Sequence, residues 1–227
     1  MSMTPFQAHR ARKQKEREAE KLRQASASAE APAAATYAEF ETILYALETD
    51  VAAISDTPSG ERAAKKAEMI ERYRPHVDAY LDTEKPHANP VLVQLVIWLL
   101  DVGKISDALK YAAPAIEQNQ AMPQRFKRNM ATTVADEVLA WAEAEAKDGR
   151  AYEPYFSDVR AQLDTWAVPD VVKMKYAKFA GLQAYATEDW KEAEKELAAA
   201  EGLATKNNPA KVKTKLEQAR KKLSENA

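Results

Sequence analysis

The most apolar stretch of the sequence runs from Val91 to Glu117 and predicts two helices joined at Gly103. Nearly every position from Val91 to Asp101 is apolar, which is typical of a helix buried on all sides. The run is too short and too soon interrupted to span a bilayer. Gly103 stands where a helix end favours a residue that tolerates positive φ. The following helix carries one apolar stripe, made of Ile105, Ala108, Leu109 and Ala112.

A second copy of this helix pair runs from Lys178 to Gly202. When Ile105 is aligned with Trp190, small or apolar residues recur at matching positions of the second helices. Gly181 stands where tetratricopeptide-type repeats carry a small residue that lets paired helices approach closely. The sequence therefore predicts two tetratricopeptide-like helix pairs. Because a solenoid needs about three repeats to be stable, other helices or other subunits must cover them.

Two amphipathic helices are predicted before these pairs. In the first, four- and three-residue steps form a coiled-coil-like seam of Phe40, Leu44, Leu47 and Val51. Helix packing within one subunit and an oligomer contact explain this seam equally well. The second helix, from Glu61 to about Leu81, carries Arg62, Lys65 and Lys66 on its polar face. The two helices fit either a DNA-binding helix-turn-helix or a plain hairpin.

The rest of the sequence also follows helical periodicity. Helices are predicted at about 131–147 and 154–166, and Asn208 with Pro209 predicts the start of a last helix. Leu216 and Leu223 belong to the narrow apolar stripe of that helix, which suits packing on a neighbour. We expect an all-α protein divided into a basic arm and linker (1–36), a helical hairpin (37–90), a tetratricopeptide-like body (91–205) and a short basic helix (206–227).

Composition agrees with this fold class and restricts the chemistry. The 227 residues are 46% hydrophobic and include five glycines and no cysteine, which excludes disulfides and thiolate metal sites. The N-terminus is charged where a signal peptide is apolar, so we expect a cytoplasmic protein.

Positive charge is concentrated at the two ends of the chain. Residues 1–25 hold seven Lys/Arg against three Glu, and residues 206–227 hold seven against two, whereas the whole chain has net charge −2. The middle of the chain is therefore strongly acidic and repels a polyanion, so the basic residues are the candidate DNA contacts. The candidates are Arg10, Arg12, Lys13, Lys15, Arg17, Arg62, Lys65, Lys66, Lys213, Lys221 and Lys222.

Motifs for catalysis are absent or incidental. No two glycines have the spacing of a phosphate-binding loop, and the three histidines are not grouped for a metal. Pro169-Asp170 and Asp189-Trp190-Lys191 match the letters of a nuclease motif, but both pieces lie on or beside predicted helices. That chemistry needs carboxylates that converge on a divalent metal. We therefore expect no catalytic residue, metal site or cofactor in this chain.

Several segments, taken in order, resemble the small terminase subunit of tailed phages, in the branch found in temperate myophages with cohesive genome ends and their prophages. The segments that carry the resemblance are Thr4–Arg10 (TPFQAHR), Glu61–Met69 (ERAAKKAEM), Tyr73–Val77 (YRPHV), Asp101–Leu109 (DVGKISDAL), Met122–Pro123 and Ala135–Val138 (ADEV). The family often ends in a long tail rich in lysine, arginine and proline, whereas this sequence ends in a short lysine helix.

The resemblance implies a DNA-recognition subunit that binds the packaging site of double-stranded viral DNA and recruits the large terminase subunit, which holds the ATPase and nuclease. It also implies a homo-oligomer, commonly a ring. This branch is labelled the endonuclease subunit, which we interpret as directing cleavage rather than performing it. Two alternatives stay open: a repeat adaptor that binds a protein partner without DNA, and a metal-dependent endonuclease in its own right.

Overall fold

The computed structural model describes residues 37–83 and 86–225. These ranges contain helices and no strand, which confirms the all-α prediction. None of the helices in the described ranges is long and apolar enough to cross a membrane. The helices are α1 (Tyr37–Asp56), α2 (Arg62–Leu81), α3 (Pro90–Asp101), α4 (Ile105–Glu117), α5 (Met130–Lys147), α6 (Tyr155–Gln162), α7 (Asp170–Ala186), α8 (Trp190–Gly202) and α9 (Lys213–Glu225).

The chain forms two compact units, and the boundary falls between Phe126 and Lys127. The first unit contains α1 to α4, and the second contains α5 to α9. This boundary lies inside the segment 91–205. The division at residues 36, 90 and 205 stays a prediction.

Helix α3 is the centre of the first unit, because all ten residues from Val91 to Leu100 are buried. Helices α1, α2 and α4 pack against it. The Asn89 side chain caps its first turn by accepting a hydrogen bond from the Leu92 N–H at 3.0 Å. Gly103, with φ of +72°, allows the turn into α4. The predicted buried helix and its glycine turn are therefore confirmed.

In the second unit, α7 and α8 are in contact at a glycine. A Cβ atom added to Gly181 would lie 2.8 Å from Leu197 Cγ and 2.9 Å from Leu197 N. No side chain fits at that distance, so glycine is needed for this approach of the two helices. The close helix pair predicted from the sequence is present, whereas its tetratricopeptide-like geometry stays a prediction.

Helix α9 packs against α7 and α8 and closes the core of the second unit. Ala210, Val212 and Leu216 are buried in one cluster with Met174 of α7 and Leu197 of α8. The narrow apolar stripe of the last helix therefore has its neighbour within the same subunit.

The predicted start of this last helix at Asn208 and Pro209 was wrong. The helix begins at Lys213, four residues beyond Pro209. The reason is Lys211, whose left-handed backbone (φ 59°) interrupts any helix that begins earlier. This bend lies between the buried side chains of Ala210 and Val212, which hold the segment against the core.

We expect Gly181→Ala to lower the free energy of unfolding by about 1–3 kcal/mol, because the added methyl group forces α7 and α8 apart. Gly202→Ala is the matched control, since a Cβ atom there has no neighbour within 4 Å. The control should leave stability unchanged or slightly raised, as alanine favours helix. Urea unfolding of both variants measures the difference. Equal stabilities for the two alanine variants would contradict the close approach.

Candidate nucleic-acid interface

The three basic residues predicted as DNA contacts on α2 differ in whether their side chains already have hydrogen-bond or ion-pair partners in the protein. Arg62 donates to two backbone carbonyls at the end of α1. The Ser55 carbonyl, in the last turn, accepts at 2.9 Å, and the Thr57 carbonyl, just beyond the helix, accepts at 2.8 Å. The Lys66 ammonium lies 2.6 Å from the Asp101 carboxylate of α3. Lys65 is exposed and makes no ion pair within the described ranges. Of these three predicted DNA contacts, the Lys65 side chain alone has no hydrogen-bond or ion-pair partner in the described ranges.

The remaining arginines of α2 also pair within the first unit. Arg72 donates to Asp50 of α1 at 3.0 Å, and the same Asp50 oxygen accepts from the buried Tyr73 hydroxyl at 2.8 Å. Arg74 donates to Asp107 of α4 at 2.9 Å. These contacts join α2 to its neighbouring helices. A basic face that looked available for DNA is thus largely neutralised by carboxylates of the same unit.

The basic residues of α9 lie on both sides of its buried residues, Leu216 and Ala219. On one side, Lys213 pairs with Glu201 at 3.5 Å and Arg220 pairs with Glu194 at 3.0 Å, so both cations meet carboxylates of α8. Glu217 shares this side through its helical spacing. This side attaches α9 to the acidic face of α8.

The other side of α9 faces α7 and is occupied by a lysine, an amide and an aromatic ring. The Lys215 ammonium lies 4.0 Å from the centroid of the Tyr185 ring. The Tyr185 hydroxyl donates to Gln218 Oε1 at 2.8 Å. The Trp190 ring meets Tyr185 edge to face, with 5.2 Å between centroids. Lys215 is thus positioned by a cation–π contact, and no carboxylate within the described ranges pairs with it.

Two further lysines lie in the same segments of the sequence, Lys178 on α7 and Lys211 just before α9. Lys178 precedes Tyr185 by two helical turns on the same face of α7. Lys211 lies two residues before the start of α9, between the buried Ala210 and Val212. Neither lysine makes an ion pair with the part of the chain that the structure describes. We call Lys178, Lys211, Lys215 and Tyr185 the α7–α9 strip.

The other predicted DNA contacts are placed as follows. Lys221 and Lys222 are exposed and pair with the nearby Glu225, at 3.8 and 3.3 Å. Such solvent-exposed pairs contribute little stability and are readily exchanged for a stronger anion. The N-terminal candidates Arg10, Arg12, Lys13, Lys15 and Arg17 lie outside the described residues.

The residues predicted to mediate oligomer contacts fall into two groups. Leu47 and Leu216 are only 5% and 6% exposed, and each is buried within its own unit. The half-buried residues keep apolar surface at the outside of their helices and are Phe40, Leu44, Val51 and Leu223. The Phe40 ring also meets the His87 ring edge to face at 5.0 Å between centroids.

The two aspartates of the nuclease-like pattern lie at the starts of separate helices, α7 and α8. Asp189 caps α8, since its side chain accepts from the Glu192 N–H at 3.1 Å. Asp170 is exposed in the first turn of α7. Within residues 37–83 and 86–225, no group of three or more His, Asp or Glu side chains is placed to hold a metal ion.

Sequence reasoning missed the α7–α9 strip. Lys215 and Gln218 follow the helical spacing of one face, which is a visible signal. That signal does not say which lysines meet carboxylates, because Glu194 and Glu201 come from another helix. Tyr185 stands where tetratricopeptide-type repeats carry an aromatic residue, which indicates packing and not a contact with a lysine.

Comparison with known proteins gives two matching relatives and a family. A family model described as the phage small terminase subunit matches residues 44–171, more than half of the chain. The chain is 32% identical over 145 residues to the probable terminase, endonuclease subunit of Haemophilus phage HP1, covering 63% of this chain and 52% of the relative. It is 28% identical over 145 residues to the terminase, endonuclease subunit of Escherichia phage P2, covering 63% and 59%.

These matches cover only part of this chain and only part of each relative. The chain spans between half and three fifths of the length of these two relatives, and no solved structure matches it. The family match ends at Val171, so nearly all of α7 and the whole of α8 and α9 lie beyond it. Because the match still covers more than half of the chain, this protein belongs to the phage small terminase subunit family.

Proposed function

We propose that this protein recognises the packaging site of a double-stranded viral genome and directs the large terminase subunit to cut and package the DNA there. The single observation that carries the proposal is the family match over residues 44–171. The partners are then viral DNA, the large subunit and further copies of this chain. The place of action is the cytoplasm of the bacterial host.

The charge distribution supports contacts with DNA at particular places. An acidic protein with basic ends binds a polyanion through those ends, because the rest of its surface repels phosphate. In the first unit most α2 cations are paired, which leaves Lys65 as a contact. In the second unit Lys221 and Lys222 of α9 are exposed and pair only with Glu225 in the described ranges, which leaves them available as contacts. We propose that these residues and the N-terminal basic residues supply the phosphate contacts.

The proposed oligomer contact uses the apolar surface left on α1. Phe40, Leu44 and Val51 follow four- and seven-residue steps and are half-buried in the subunit. A second copy of this chain would cover them, as coiled-coil-like seams do. Leu47, which is buried already, supports the seam from within the subunit. This assigns the seam to both packing and assembly.

We infer that the protein directs cleavage and that the large subunit performs it. The names of the relatives from phages HP1 and P2 contain the words endonuclease subunit. Hydrolysis of a phosphodiester by metal ions needs carboxylates that meet at one point. Asp189 is instead engaged in capping α8. This supports a role in choosing the cutting site.

Size-exclusion chromatography with light scattering, with and without duplex DNA, tests the proposal. We expect a discrete oligomer that elutes earlier when a duplex is added at low salt. Replacing Phe40 and Leu44 by Asp should reduce the mass to that of one subunit while the helical signal persists. A wild-type monomer that ignores DNA at low salt would contradict the proposal and favour a protein-binding adaptor.

A further inference from the structure

We propose that the α7–α9 strip binds the phosphodiester backbone of duplex DNA, with Lys211 and Lys215 as its principal contacts. The inference rests on the proposed function and specifies where the second unit meets DNA. It also assigns a different role to Lys213 and Arg220, the cations on the opposite side of α9. Those two attach α9 to α8 and are not phosphate contacts.

The first argument is the separation of charge across α9. Lys213 and Arg220 are compensated by Glu201 and Glu194, whereas Lys211 and Lys215 have no carboxylate partner in the described ranges. A phosphate that approaches Lys213 or Arg220 also meets the negative charge of Glu201 or Glu194, which weakens the attraction. A phosphate that approaches the strip meets uncompensated ammonium groups. The Lys215 side of α9 should therefore attract a polyanion more strongly than the side that carries Lys213 and Arg220.

The second argument is the positioning of Lys215. A lysine side chain loses rotamer freedom when it binds an anion, and this loss weakens the contact. Here the Tyr185 ring holds the ammonium at 4.0 Å on one side, and Gln218 in turn holds the Tyr185 hydroxyl. The side of the ammonium away from the ring still carries N–H donors. Part of the ordering that phosphate binding requires is thus already present in the free protein.

The third argument is the backbone of Lys211. A non-glycine residue at φ 59° is unfavourable, and it persists because Ala210 and Val212 are buried on both sides. The same two anchors fix the point from which the Lys211 side chain leaves the surface. Lys211 is therefore held at a fixed point of the backbone, two residues before the start of α9.

Duplex DNA fits this strip better than a small anion does. The lysines come from two helices and from a loop, which suits an extended chain of phosphates rather than one phosphate group. Lysine ammonium groups act as point charges and do not read base edges. The strip should therefore add affinity equally for packaging-site DNA and for unrelated DNA.

The test compares two double variants with the same change in charge. Lys211→Gln with Lys215→Gln removes the strip contacts, and Lys213→Gln with Arg220→Gln removes the cations on the other side. Fluorescence anisotropy of a labelled duplex across a salt series gives the affinity and its salt slope. Because each phosphate contact contributes about 0.9 to that slope, the strip variant should lose about 2 and bind roughly ten- to a hundredfold more weakly at 0.1 M salt.

The control variant should keep the wild-type slope and bind nearly as well as the wild type, while thermal melts show that both variants are folded. Equal loss in the two variants would overturn the proposal, because net charge alone would explain binding. An unchanged affinity of the strip variant for DNA would overturn the proposal as well. If the strip variant binds DNA normally but loses binding to a poly-glutamate probe, the strip would instead be a site for an acidic protein partner. A wild type that binds no duplex at low salt would instead overturn the proposed function.

Discussion

The affinity for duplex DNA should fall by roughly 10³- to 10⁵-fold when salt rises from about 50 to 200 mM, if about six to ten phosphates are contacted. The physical reason is the release of counterions that the DNA phosphates hold at low salt. The ends of the chain provide enough cations for this number, with seven Lys/Arg in residues 1–25 and seven in residues 206–227.

A titration of labelled duplex by anisotropy at several salt concentrations measures this dependence. Size-exclusion runs at the same concentrations control for any change in oligomer size, which alters the number of contacts per particle. A flat salt response would contradict electrostatic binding by the basic ends. A steep response that disappears when residues 1–36 are removed would assign most contacts to the N-terminal segment.

Replacing Arg160 by Ala should lower the free energy of unfolding by about 3 kcal/mol. Arg160 of α6 lies 2.5 Å from the Glu196 carboxylate of α8, and Glu196 is only 2% exposed. Without the guanidinium the carboxylate is left buried, and Lys195, at 3.4 Å, is its remaining ion-pair partner in the described ranges. We expect the lower end of the usual range of about 3–5 kcal/mol, since Arg160 is about a third exposed and admits water.

Two further variants separate this buried pair from charge effects in general. Arg150→Ala removes an arginine that pairs with Glu145 and Asp148 at the exposed end of α5, and it should change stability little. Arg160→Met combined with Glu196→Met removes both charges and should recover much of the loss. Urea unfolding of all three variants provides the comparison. Equal effects of Arg150→Ala and Arg160→Ala would show that burial of Glu196 is unimportant.

Features that depend on local sequence could be predicted well. The ten buried residues of α3 follow from an unbroken apolar run, because a helix with no polar face has no stable place at the surface. The close pair of α7 and α8 follows from Gly181, which stands where paired helices of this type need a small residue. The Asn89 cap and Pro90 at the start of α3 are a local signal of the same kind that was not recognised in the sequence.

Features that depend on partners distant in the chain could not be predicted. Lys66 and Asp101 are 35 residues apart, and nothing in their local sequence indicates that they pair. The same is true of Arg160 and Glu196. A lysine on a predicted polar face looks free until the carboxylate of another helix is placed beside it. For this reason the sequence indicated the right basic segments but not which of their cations are available to DNA.

The start of α9 illustrates a different limit. Asn208 and Pro209 have the residue types of a cap and first turn, so local chemistry favours a helix from there. Burial of Ala210 and Val212 in the core outweighs that preference and bends the chain at Lys211. A tertiary contact therefore decided a boundary that local preference had placed four residues earlier.

The most direct test of the central claim is whether this protein selects one site in the genome that encodes it. Sheared DNA of that phage or prophage is incubated with the purified protein at near-physiological salt, and the retained fragments are sequenced. We predict strong enrichment of a single region, since specific sites are typically bound at least about 10³-fold more tightly than other DNA. Uniform recovery of fragments from the whole genome would contradict recognition of a packaging site.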